Sequence, residues 1–176
     1  MIHTDAVKDA TVRQVMRLFE DIHATLPAGC AELRSRPTID NFGFEISIIP
    51  SNQQCAEVGA TIMGGDLYSA DFGKAPTFTT FEFPWEVGLS RKSGLDEQLE
   101  ALRKICLAVI SGNCEHRHGR LGTLGAVFAS ETEAFRVTDY YPLAIFRRRV
   151  GPEVTRYAPY YEGAATHSQS FPRLSL

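Results

Sequence analysis

The chain has 176 residues, 44 % of them apolar and 22 % charged, with a net charge of −3. That suits one folded domain and excludes an intrinsically disordered chain, because there is enough apolar surface to offset chain entropy. Four cysteines at 30, 55, 106 and 114 form no Cys-x-x-Cys pair, which argues against a zinc ribbon or a thioredoxin-type motif and for free thiols. The polar start Met1 to Asp9 and the lack of a long apolar run imply a cytoplasmic protein with no membrane segment.

The first periodic segment runs from Asp5 to Leu26. Val12, Val15, Phe19, Ile22 and Leu26 recur at threes and fours, one face of a helix, which Thr4 or Asp5 can cap and Pro27 ends. His23 borders that stripe as an edge residue. Ala31 to Asn41 reads as a polar connection. Phe42, Phe44, Ile46 and Ile48 then alternate with small or polar residues, the pattern of a strand with one buried face, ending at Pro50. Glu57 to Met63 and Leu67 to Phe72 flank Gly64-Gly65-Asp66, so they should form an antiparallel hairpin. Thr77 to Phe83 is a fourth strand by its aromatic and β-branched content, stopped by Pro84.

Between Ser93 and Asn113 the spacing predicts a helix of about 17 residues. Leu95, Leu99, Leu102, Cys106 and Val109 form its apolar stripe, with Cys106 as a core residue; Ser93 and Asp96 suggest a capping box, Glu100 and Lys104 an i,i+4 pair, and Gly112-Asn113 a stop. Strands follow at Leu121 to Ser130, Phe135 to Tyr141 and Leu143 to Val150, in the same or an adjoining sheet. The order α-β-β-β-β-α-β-β-β implies an α+β fold, a two-layer sandwich of a mostly antiparallel sheet with two main helices. One domain should span residues 1–162, and the small, polar residues 163–176 should form a weakly ordered tail.

Chemistry-bearing residues are densest at Cys114-Glu-His-Arg-His-Gly-Arg120. On a strand Cys114, His116, His118 and Arg120 share one side, with the two histidines about 6.6 Å apart. His116 and His118 could hold a metal if a third group such as Cys114, Asp139 or His167 approached, giving a small metal- or His-dependent enzyme. The alternative is an exposed polar strand face, and the flanking arginines oppose a cation. Nothing local completes a Cys-His nucleophile, and neither Gly64-Gly65 nor Gly119 to Gly122 has the setting of a phosphate loop.

Charge is divided along the chain. Residues 1–100 hold 15 acidic against 8 basic side chains and residues 101–176 hold 6 against 10. If the parts fold onto each other the charges interleave; if not, they form partner surfaces of opposite sign. An acidic surface around Asp66, Tyr68, Asp71, Glu82, Trp85 and Glu86 would suit a basic protein, with Trp85 either an anchor of that surface or a plug of the core. Arg147, Arg149, Arg156 and Tyr157 offer an arginine and tyrosine surface for nucleic acid, although the pI near 6.0 and the absence of an RNA-binding motif weigh against it. The leading expectation is a non-catalytic, cofactor-free protein-binding domain, for instance an immunity-type inhibitor that covers a basic toxin.

Overall fold

The computed structural model describes residues 10–38, 42–75, 77–119, 122–140 and 153–167. Two α-helices, α1 (Ala10–Ala24) and α2 (Leu95–Ile110), separate two runs of strands. The first run is β1 (Ala31–Pro37), β2 (Gly43–Pro50), β3 (Glu57–Met63), β4 (Asp66–Lys74) and β5 (Thr77–Glu82). The second is β6 (Cys114–His118), β7 (Gly122–Phe128), β8 (Ala134–Tyr140) and β9 (Glu153–Arg156), after which Glu162–His167 forms a 3-10 helix at the start of the segment expected to be a tail. The fold is α+β, and all strand pairs are antiparallel.

There are two sheets, ordered β1-β2-β3-β4-β5 and β8-β7-β6-β9. Three strands extend the expected order, among them β6, the segment Cys114–His118 that stood outside the counted run. The segment read as a polar connection contains β1, an edge strand whose Glu32, Arg34 and Arg36 point outward, so apolar alternation is missing where charges protect a sheet edge. At the other end, the short β9 pairs with β6. The expected strand Leu143 to Val150 and the expected α1 start at Thr4 or Asp5 lie outside the described residues. The glycine hairpin forms as expected, with Gly64 and Gly65 at φ 60° and 93° joining β3 to β4.

Val12, Val15, Met16, Phe19 and Ile22 of α1 are buried against the first sheet. Leu102, Ile105, Cys106 and Val109 of α2 are buried as well, where α2 meets β3, β4 and β7 and so joins the two sheets. The backbone of α2 is capped at Gly94, and Ser93 makes no side-chain cap; its carbonyl instead accepts from Gln98. The expected capping box is therefore absent. Lys104 reaches Glu133 at 3.0 Å across the fold, in place of the expected Glu100 partner. Gly112, at φ +74°, ends the helix and lies so close to Pro159 that a Cβ would contact its nitrogen at 2.7 Å.

On β5 the inward side chains leave the helices and meet the second sheet. Phe81 packs edge-on against Phe135 with ring centroids 6.4 Å apart, and Thr79 occupies the space a side chain at Gly125 would fill. Tyr160 ties the chain after β9 to the first sheet by donating its hydroxyl to the carbonyls of Ala56 and Ile48 at 2.7 and 3.2 Å. No helix among the described residues is long and apolar enough to cross a membrane.

Candidate functional site

Helix packing uses one side of the first sheet and leaves the other outward. Strand register sets Arg34, Ser47, Gly59, Asp71 and Thr80 in one row across that outer face. The next row is Arg36, Glu45, Thr61, Ser69 and Glu82. With Glu32 and Glu57 by alternation, the face carries five carboxylates against two arginines. Both arginines are already engaged, Arg34 with Glu32 at 3.2 Å and Arg36 with Glu45 at 2.7 Å.

Asp71 accepts hydrogen bonds from Thr80 at 2.6 Å and Ser69 at 3.4 Å. Burial raises its carboxyl pKa above the ordinary value, and hydrogen bonds from the hydroxyls of Thr80, Ser69 and Thr61 offset part of the rise. Around it lies a trough of about 420 Å³ whose charged lining is Arg34, Arg36, Glu45, Glu57 and Asp71, with Phe78, one of the exposed large apolar residues, also on its wall.

The remaining acidic and aromatic residues expected to act together lie at one end of β4 and β5. Asp66 opens β4 and Tyr68 is exposed; the Phe83 N–H donates to the Tyr68 carbonyl, fixing the loop that leaves β5. Glu86 turns back to accept from the Glu82 N–H at 2.8 Å. Phe83 and Val87 are buried and hold the loop down, while Trp85 between them is 50 % exposed. Trp85 is thus not a core plug. The Arg91 guanidinium lies 4.2 Å above its ring.

The 114–120 segment has a different role from a polar surface. His116 is fully buried, stacked on Phe72 at 4.7 Å, with Nε2 2.8 Å from the Thr79 hydroxyl and Nδ1 2.7 Å from the Tyr157 hydroxyl. A neutral imidazole has one N–H and one acceptor nitrogen, so one hydroxyl donates and the other accepts. Burial, with a smaller contribution from the charge of His118, lowers the His116 pKa to about 4. The expectation of an exposed strand face fails at His116 because β6 sits under β5.

His118 is 6.2 Å from His116 between ring centroids and contacts the Thr123 hydroxyl at 3.1 Å. Cys114 is buried, which pushes its thiol pKa up and keeps it protonated, in the form that is neither a nucleophile nor a metal ligand. Among the described residues no three His, Cys, Asp or Glu groups are placed to hold a metal. Arg120 lies outside those residues, as do the side chains of Asp139 and His167.

Comparison with protein-family models, curated proteins and solved structures finds no match. The reading of function therefore rests on the geometry of this chain.

Of the arginine and tyrosine surface, Arg147 and Arg149 lie outside the described residues. Tyr157 is buried against His116 and is not an open stacking platform; burial raises its pKa to about 12. Arg156 is bound to Glu115 at 3.4 Å, and Arg117 binds the same buried carboxylate at 2.6 Å. Sequence reasoning missed Glu115. Its only signal is its position on β6 opposite to His116, and the partners that neutralise it depend on pairing with β9.

Charge polarity along the chain becomes polarity in space. Each of the five ion pairs among the described residues joins partners from the same part of the chain, so the two parts do not interleave through ion pairs. The outer face of the first sheet is acidic, whereas register across the second places Arg136, Ala126, Glu115 and Arg156 in a row beside Arg117.

Proposed function

We propose that the chain is a non-catalytic protein-binding domain that takes a basic partner on the outer face of its first sheet. The observation that carries this reading is the open sheet face with five carboxylates, two arginines already paired, and exposed Phe78, with Tyr68 and Trp85 at its end. Carboxylates raise the rate of encounter with a basic protein, and aromatic side chains supply contact energy once water is excluded.

The dimensions fit a contact of moderate size. Five strands about 4.8 Å apart and some seven residues long span roughly 500 Å², against about 800 Å² per partner in a standard interface. The loop from Phe83 to Arg91 would supply the rest. An inhibitor that covers a basic toxin is the specific form we favour, since such a partner must be recognised by charge and then buried.

The test uses affinity capture from the native organism with the wild-type chain and with a variant carrying Glu32→Lys and Glu82→Lys. A basic protein retained by the wild type and lost by the variant is the expected result. Equal retention by both, or no specific partner, would overturn the proposal.

A further inference from the structure

We propose that the chain pairs with a second copy of itself along the open edge of β1, so that two first sheets join into one antiparallel sheet. This pairing is independent of the basic partner proposed above, which takes the face of that sheet and not its edge.

β1 is the terminal strand of its sheet, and among the described residues no strand pairs with its far side. Two bonds flanking it fix which groups face outward. The Ser51 N–H donates to the Cys30 carbonyl at 2.9 Å and the Thr38 N–H to the Gly43 carbonyl at 3.0 Å, so the even-numbered residues of β1 bond to β2. The odd ones, Ala31, Leu33, Ser35 and Pro37, turn their backbone groups to the open edge. Two of those groups are out of use. Pro37 has no N–H, and the Ala31 carbonyl already accepts from His23 Nε2 of α1 at 3.1 Å.

That pattern is self-complementary. In an antiparallel copy centred on Arg34, Leu33 exchanges both backbone bonds with the partner's Ser35, and Ser35 does the same with the partner's Leu33. Ala31 then lies opposite the partner's Pro37. Its N–H finds the proline carbonyl, and its occupied carbonyl faces the residue that has nothing to donate. Moving the centre to Leu33 would ask the Ala31 carbonyl for a second bond. Moving it to Ser35 would leave the Leu33 carbonyl opposite a proline and set Arg34 against Arg36.

Side chains on the outer face select the same register. It sets Glu32 opposite the partner's Arg36 at both ends, the arrangement in which cross-strand charges attract. The two copies of Arg34 meet at the axis, each already bound to its own Glu32 at 3.2 Å. Charges that guard this edge against an unrelated strand thus admit a second copy. A strand of seven residues is about 24 Å long and buries little side-chain surface, so the dimer should form and dissociate with concentration.

The test is sedimentation equilibrium of the full chain over a concentration series, with amide hydrogen exchange at both ends of the series. The mass should rise from 19.5 kDa toward twice that value, and the amides of Ala31, Leu33 and Ser35 should exchange more slowly as it does. Ser35→Pro removes an outward N–H without touching the bonds to β2, a change that an edge strand tolerates, and should stay monomeric with an unchanged amide spectrum away from β1. Arg36→Glu should weaken the dimer about tenfold by opposing Glu32, and Glu32→Arg added to it should strengthen it again.

A mass that stays at 19.5 kDa throughout, a dimer that survives Ser35→Pro, or a dimer indifferent to both charge changes would overturn the pairing. If Ser35→Pro does not fold, the charge changes and the wild-type amide exchange decide.

Discussion

Lowering the pH from 7 to 4 should remove about 3 kcal/mol of stability through His116 alone. The ordinary histidine pKa is 6.5, and burial lowers that of His116 to about 4 in the folded chain. At pH 7 the ring is neutral whether the chain is folded or not, so its titration contributes nothing. Below 6.5 the unfolded chain takes up a proton that the native chain refuses, and stability falls by about 1.4 kcal/mol per pH unit until the native ring titrates near 4. Other groups titrate as the pH falls, so the measurement is a difference between two proteins. Urea unfolding of the wild type and His116→Gln at pH 7, 5.5 and 4.5 gives that difference. The variant should be the less stable at pH 7, having lost the stacking on Phe72, and the gap should shrink steadily toward acid. A gap that stays constant across the series would refute a neutral, buried His116.

Three further changes probe the joints of the fold and the aromatic corner. Gly125→Ala should cost about 1–3 kcal/mol in a urea titration because its methyl group runs into Thr79 at the contact between the sheets; an unchanged midpoint would mean that the sheets are not in contact there. Tyr160→Phe removes the donor to Ala56 and Ile48 and should cost about 1–3 kcal/mol, read as a fall in Tm. Arg91→Ala should increase acrylamide quenching of Trp85 while changing stability by less than about 0.5 kcal/mol, since the guanidinium covers an exposed ring. Unchanged quenching would refute that contact.

The elements best read from the sequence were those with strong local period. The α1 and α2 stripes, the alternation in β2 and the double glycine of the β3–β4 hairpin each record burial within a short segment. β1 left no such record because its polar residues alternate with only Leu33 and small side chains, and β9 is four residues long. Division into two sheets was not legible, since it depends on β6 pairing with β7 and β9 and not with the first sheet.

Of the five carboxylates on the outer face the sequence singles out only Asp71 and Glu82; Glu32, Glu45 and Glu57 join them through strand register. Gly59 and Phe78 join Asp71 through register across three strands, which no local pattern encodes. His116 shows the opposite failure. Its spacing from His118 was read correctly, but its burial follows from the approach of Thr79, Phe72 and Tyr157 from distant segments.

Hydrogen exchange of the chain alone and with its captured partner tests the central claim most directly. Slowed exchange confined to the strands of the first sheet, β1 to β5, and the loop through Arg91, including the amides of Asp71, Phe78 and Thr80, is the predicted result. Protection centred on Arg117, Arg136 and Arg156 of the second sheet, with the first sheet unaffected, would contradict it.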